Sequence, residues 1–220
     1  MLANKSRIKH QSFSKLLLSI ARNIPGQGMT IRQLIDQLGE RGLLTVCMVL
    51  TLPFLIPLSI PGSSIPFGLA IILAGMALIL NRPLWLPQGF ADKEIASDSL
   101  KYILESGAKL LAKLEKLMRP RFLVLTEADM MIRFNVFLII FSAFLLMAPL
   151  PLPLSNTIPA YAVLFLAAGS LERDGYLLIA GYLLIIISLI YFAVVALLGA
   201  VGMEVLFLLT IEDYLGSLMA

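Results

Sequence analysis

The stretch Thr51–Pro66, TLPFLIPLSIPGSSIP, and its counterpart Met147–Pro159, MAPLPLPLSNTIP, decide how this chain is read. They hold eight of its twelve prolines: Pro53, Pro57, Pro61 and Pro66 in the first, Pro149, Pro151, Pro153 and Pro159 in the second. A proline lacks the N–H that a helix needs and restrains the residue before it, so this density breaks a helix where a single proline would only kink it. Each stretch leads into an apolar run that closes on small residues, Leu73-Ala74-Gly75 and Ala167-Ala168-Gly169. Because the spacings agree to within a few residues, the two blocks read as an internal repeat.

No residue is charged between Arg41 and Arg82, between Arg133 and Glu172, or from Tyr176 to Met203. Of 220 residues, 59% are apolar and only 14% charged, with a mean hydropathy of +0.93. An ordinary soluble domain carries about a quarter charged residues. The composition therefore predicts an all-α integral membrane protein. Its expected parts are cytoplasmic amphipathic helices in 1–42, a proline-broken membrane hairpin in 43–81, and a cytoplasmic connector with an amphipathic helix in 82–133. A second proline-broken hairpin fills 134–171, and a transmembrane helix with a tail fills 172–220.

With the proline zones irregular, the helical arms are Leu43–Leu52, Phe67–Leu80, Phe134–Ala148 and Ala160–Leu171. At 1.5 Å per residue they reach roughly 15–23 Å against a hydrocarbon core of about 30 Å, too short to cross alone. A re-entrant hairpin and a pair of short tilted spans both fit; the shortfall favours the re-entrant form. Arg32 and Arg41 before the first block, with Arg82 and Lys93 after it, place both of its ends in the cytoplasm. The run Tyr176–Met203, about 28 residues, is the clearest spanning helix. No Lys or Arg follows Arg173, so the carboxyl terminus should face away from the cytoplasm. An inverted repeat needs an odd number of crossings between the hairpins, and no run in the connector is apolar enough to supply one. From Lys101 to Met118 the connector reads as a basic-faced helix at the interface, with Leu100, Ile103, Leu104, Leu111, Leu114 and Leu117 at helical spacing.

One cysteine, Cys47, and one histidine, His10, exclude disulfides, Cys/His zinc clusters and His-dependent triads elsewhere in the chain. The apolar blocks hold no acid, lysine or histidine, so no catalytic residue, cofactor or metal is expected, and the chain reads as a non-enzyme. Its net charge of +3 comes from basic residues flanking apolar runs, which fits cytoplasmic loops better than nucleic acid. The basic leader is followed by too short an apolar run for a secretory signal and reads as a retained surface helix.

Polar groups stand just before the second arm of each hairpin: Ser59, Ser63 and Ser64, then Ser155, Asn156 and Thr157. A capping side chain followed by proline in the first turn is a helix-start signature. A half-helix that starts at depth points its positive dipole end inward, so these six residues form the candidate polar pocket for a polar or anionic group. The bland alternative is that each only caps its own helix. Gly199 and Gly202, with Ala196 and Ala200, form a small-residue patch that suits a homodimer.

Thr30-Ile31-Arg32-Gln33 is a capping-box pattern that opens a short amphipathic helix. It ends at Gly39-Glu40-Arg41-Gly42, and the second block closes on Leu171-Glu172-Arg173-Asp174-Gly175. Glu40, Arg41, Arg133, Glu172, Arg173 and Asp174 are thus membrane-edge charges, either ion-paired or simply placed among headgroups.

These residues also carry a resemblance. Leu38-Gly39-Glu40-Arg41-Gly42, LTLPFLIPLSIPGS, Arg82-Pro83 with Trp85-Leu86-Pro87, Pro153-Leu154-Ser155-Asn156-Thr157-Ile158-Pro159-Ala160 and Leu171-Glu172-Arg173-Asp174-Gly175 stand in an order that resembles the ExoD family of bacterial membrane proteins, from Thr30 to about Val201. The resemblance implies an inner-membrane protein linked to exopolysaccharide production and, in some bacteria, to alkaline growth; the apolar blocks make it multi-pass, and the basic residues around them put its amino terminus in the cytoplasm. The resemblance implies no catalytic residues. Three functions follow as expectations: support of exopolysaccharide synthesis or export by moving a polar or anionic molecule; proton or cation transport through Glu40, Glu172 or Asp174; or a scaffold that binds polysaccharide synthesis or export components without transport. Beyond these, the partner is the lipid bilayer, not nucleic acid.

Overall fold

The computed structural model describes residues 12–26, 28–56, 62, 64–82, 84, 88–117, 122–148, 150 and 152–219. The chain folds as helices arranged in two parts, a charged layer and an apolar bundle. In the layer, α1 (Phe13–Arg22) packs on α5 (Ser97–Leu117). Each has one apolar stripe, and the two stripes bury one another: Phe13, Leu17, Ile20 and Ala21 against Leu100, Leu104 and Ala108. Part of the connector's stripe thus meets protein where lipid was expected, while Ile103 stays 57% exposed. Glu115 near the end of α5 accepts the Ser14 N–H at 2.8 Å and the Ser12 and Ser14 hydroxyls at 2.6 and 2.7 Å, holding the start of α1. A two-residue antiparallel ladder, β1 (Met29–Thr30) with β2 (Glu94–Ile95), joins the amino-terminal segment to the connector. The Ser97 hydroxyl adds a bond to the Pro25 carbonyl at 2.8 Å.

α2 (Ile31–Thr51) opens with the expected capping box, the Thr30 side chain accepting from the Gln33 N–H and the Gln33 side chain from the Thr30 N–H. Gly39 interrupts it at φ 58°, ψ −143°, a conformation that a β-carbon would strain. The amphipathic first half is thereby set at an angle to the apolar second half. α2 runs into a 3₁₀ turn, Leu52–Phe54, carrying Pro53. α3 (Ser64–Leu80) returns; α4 (Gln88–Ala91) and α6 (Val124–Glu127) are single turns; α7 (Asp129–Leu146), α8 (Thr157–Glu172) and α9 (Gly175–Met219) complete the chain.

The bundle has a definite connectivity. α2 packs on α3 and on α8, and α7 packs on α3 and on α8. The first arm of each hairpin therefore lies against the second arm of the other, and α9 covers α8 from outside. The two hairpins run parallel. At one end the Tyr161 hydroxyl, in the first turns of α8, donates to the Leu55 carbonyl after α2 at 3.4 Å. There too Gly68 near the start of α3 lies flat on Met147 and Ala143 at the end of α7. At the other end Arg41 acts electrostatically on Glu172. Two turns later on α3, Gly75 meets Ile140 and Val136, so the glycines set how closely α3 approaches α7. On α9, Gly181 does the same against Leu166. The buried Asn135 of α7 is satisfied, its amide donating to the Leu125 carbonyl at 2.9 Å and its oxygen accepting from the Tyr182 hydroxyl of α9.

Three helices begin earlier than the expected arms. α3 starts at Ser64, α8 at Thr157 and α7 at Asp129, against expected starts at Phe67, Ala160 and Phe134. Pro66 and Pro159 sit at the third helical position, where an N–H has no partner inside the helix and its loss costs nothing. α7, whose start at Asp129 involves no proline, has 18 residues or about 27 Å and is long and apolar enough to cross a membrane, as is the 29-residue apolar part of α9. The premise that every arm is too short fails for α7. α3 and α8, with 17 and 16 residues, stay at about 25 and 24 Å. Only 11% of the apolar part of α9 is buried, against 39% of α7, so α9 is no core helix of a soluble domain. Its backbone continues as helix to Met219, so the expected tail after Met203 is an extension of the same rod.

Candidate functional site

Polar chemistry concentrates at the two ends of the bundle. At the proline end Ser155 is fully buried and committed to its own turn, its hydroxyl bonding the Leu150 and Leu152 carbonyls at 3.1 and 2.8 Å. Leu154 beside it takes φ 70°. Asn156 occupies the N-cap position of α8, yet its side chain makes no cap bond. Its Oδ1 is buried, with no hydrogen-bond partner among the described residues. The expected cap is thus not formed here, because Asn156 has αR backbone angles (φ −92°, ψ −31°) where a capping residue is extended. Thr157 is buried at the first position of α8 and Ser64 at the first of α3.

Donors at the start of α8 are largely spent. Ile158 N–H bonds the Leu154 carbonyl and Ala160 N–H the Asn156 carbonyl, each at 3.1 Å, and Pro159 has none to offer. The dipole end is therefore a weaker anion site than an open one, while an unpaired amide oxygen remains. Ser64 and the Ser155–Thr157 group lie at the same end, but α2 and α7 stand between α3 and α8. Ser59, Ser63, Pro57, Pro61, Pro149 and Pro151 lie outside the described residues, whereas Pro53, Pro66, Pro153 and Pro159 are placed as above. Sequence reasoning missed two tyrosines here: Tyr161 on Leu55, and Tyr191 of α9, whose hydroxyl donates to the Pro153 carbonyl at 2.7 Å. A lone tyrosine in an apolar run, needing a partner for its hydroxyl, was the available signal.

At the opposite end Arg173 is the edge charge that forms an ion pair with another element. Arg173, at φ 57°, closes α8 and reaches Glu127 of α6 at 3.1 Å. Asp174 is buried and accepts the Tyr176 N–H at 3.0 Å, capping α9. Glu172, the last residue of α8 and beyond its apolar stretch, has an Oε1 without a partner among the described residues. Burial, then the nearby Glu115 carboxylate, push its carboxyl up to about 7, against the opposing pull of Arg41. Burial also raises Glu115, but hydrogen bonds from Ser12 and Ser14 outweigh it and hold that carboxyl below its ordinary value. Arg133 is exposed one turn into α7.

Glu40 lines a cleft of about 390 Å³ between the Gly39 kink of α2 and the end of α3, together with Asp36, Asn81 and Arg82 over an apolar floor that includes Leu43 and Ala77. Asn81 takes φ 49° and ends α3, with Arg82 N–H bonding the Ala77 carbonyl at 3.1 Å. No group of three His, Cys, Asp or Glu side chains suited to a metal occurs among the described residues.

Comparison with known proteins places this arrangement. The family described as "Exopolysaccharide synthesis, ExoD" matches residues 13–194. A protein named Protein ExoD from Rhizobium meliloti (strain 1021) is 46% identical over 185 residues, covering 84% of this chain and 77% of that one. An uncharacterized Synechocystis protein, slr1875, is 30% identical over 155 residues, covering 66% of this chain and 71% of that one. No solved structure matches the chain.

Proposed function

The chain belongs to the ExoD family of exopolysaccharide synthesis, and from that premise we propose that it is a multi-pass inner-membrane protein, not an enzyme, that supports exopolysaccharide synthesis or export by passing a polar molecule through the proline end of its bundle. The observation that carries this reading is Asn156: a buried amide oxygen with no partner among the described residues, at a helix start inside an apolar bundle, where an unmet polar group costs about 1–3 kcal/mol. Ser142, Ser170 and Ser188 share that state along the helices, and Asn156 differs from them in standing at a helix start beside a broken segment. The parallel hairpins, each packed on the other's second arm, support an internal repeat related by an axis along the bundle and not an inverted one. The broken segments enter from the cytoplasmic side, the amino terminus lies there, and Gly199 and Gly202, with open space where a side chain would stand, suit contact with a second copy or with polysaccharide machinery.

Asn156→Leu is the test. Polysaccharide output should fall while membrane levels and thermal stability hold; unchanged output at normal protein levels refutes the pocket.

One observation favours a second reading, proton or cation movement. Glu172 is half-buried near Arg41 and Glu115, with one carboxyl oxygen that has no partner among the described residues and a carboxyl pushed up to about 7. Liposomes of pure protein would then carry an ion flux that Glu172→Gln abolishes, and a flux indifferent to that substitution refutes it.

A further inference from the structure

The cleft between α2 and α3 brings together three exposed charged side chains of both signs: Asp36, Glu40 and Arg82. Among the described residues none of the three is in an ion pair; the ion pairs present are Arg32–Asp92 and Arg173–Glu127. Opposite charges that line one cleft without closing on each other leave a gap with a negative and a positive side. Asp36 and Glu40 stand on α2 and Arg82 just past the end of α3, so the two walls of the cleft carry opposite charge. Gly39 lies at the kink with nothing within reach of a β-carbon, so the backbone itself opens the cleft.

The surroundings say where an occupant comes from. Down one face of α3 run Ile65, Leu69, Met76 and Leu80, 44–57% exposed, a continuous apolar stripe ending beside the cleft. A soluble metabolite has no use for such a stripe; a molecule with a charged head and a hydrocarbon tail fits both.

We propose that this cleft binds the headgroup of a zwitterionic phospholipid, phosphatidylethanolamine. Its ammonium sits against Asp36 and Glu40 of α2, its phosphate against Arg82 just past α3, and its acyl chains lie along the α3 stripe. The assignment follows from charge: an anionic lipid without an amine would leave Asp36 and Glu40 unmatched, and a cationic amphiphile would leave Arg82 unmatched. It rests on the chain being embedded in a membrane, which an alkaline carbonate wash tests separately, since release of the protein by the wash would refute that premise and not the chemistry of the cleft.

The experiment follows lipid retention by native mass spectrometry, with the apparent unfolding temperature of the purified full-length protein. The probes are phosphatidylethanolamine, phosphatidylglycerol and soluble phosphoethanolamine. Phosphatidylethanolamine should be retained over phosphatidylglycerol, and soluble phosphoethanolamine should neither bind nor stabilise. Asp36→Asn with Glu40→Gln should weaken phosphatidylethanolamine retention about fivefold, the scale of two exposed charge contacts, and narrow the preference. Arg82→Gln should weaken retention of both lipids. Equal retention of the two lipids, stabilisation by the soluble headgroup alone, or a preference unmoved by the acidic substitutions would overturn the proposal.

Discussion

Glu172→Gln should make the protein more stable at alkaline pH and leave it unchanged at acid pH. Moving a carboxyl from 4.5 to about 7 corresponds, at 1.36 kcal/mol per pH unit, to at most about 3.4 kcal/mol. Glu172 keeps part of its surface in water, so screening reduces this to about 1–1.5 kcal/mol. The sign follows from linkage: the folded state holds the proton more tightly than the unfolded chain does. Below about pH 4.5 both states are protonated and there is no penalty; the penalty grows from there and is complete above about pH 7–8. Glutamine keeps the shape and removes the charge. At pH 8 the variant should unfold roughly 2–6 °C higher than the wild type, and at pH 4.5 the two should coincide. Thermal unfolding in detergent micelles across pH 4.5–9 measures it. A variant that is less stable at pH 8, or a difference that does not change with pH, would refute the assignment of a buried carboxyl repelled by Glu115.

Other substitutions test the packing. Gly75→Leu should cost upwards of about 2 kcal/mol and lower the yield of folded protein, because its side chain runs into Ile140 and Val136 of α7; a folded, wild-type-like variant would contradict the α3–α7 contact. Asn135→Leu should cost about 1–3 kcal/mol by orphaning the Tyr182 hydroxyl and the Leu125 carbonyl, and the double variant with Tyr182→Phe should recover part of that loss in a thermal-unfolding cycle. Gly39→Ala should cost about 1–3 kcal/mol through backbone strain alone; a cost near zero would mean that α2 is straight.

The bundle was legible where one property acts along the chain. Missing charge located the apolar helices, and the prolines located the breaks, because both act through solvent and backbone whatever the tertiary context. The Thr30–Gln33 capping box was legible for the same reason: its partners are three residues apart. Helix starts are legible where a polar residue precedes a first-turn proline, as at Ser64 and Thr157, although arms counted only from Phe67 and Ala160 leave that turn out; the start of α7 at Asp129 carries no such signal. The β1–β2 ladder was invisible, since two residues per strand carry no period and their partners lie more than sixty positions apart. The α1–α5 pairing was missed because an amphipathic stripe states only that something apolar covers it. At the candidate site, the sequence identified Asn156 and Glu172 as polar groups in unusual places. Their surroundings are not local: Glu172 feels Glu115 of α5 and Arg41 of α2, and the αR backbone of Asn156 keeps its side chain from capping α8, neither of which local spacing encodes.

The parallel arrangement of the two hairpins is the claim on which the site at the proline end depends. With Cys47 replaced, single cysteines at Leu55 and at Leu154 would be labelled in sealed, oriented vesicles by a membrane-impermeant maleimide. Reaction of both from one and the same face is the predicted result; labelling of the two positions from opposite faces would contradict it.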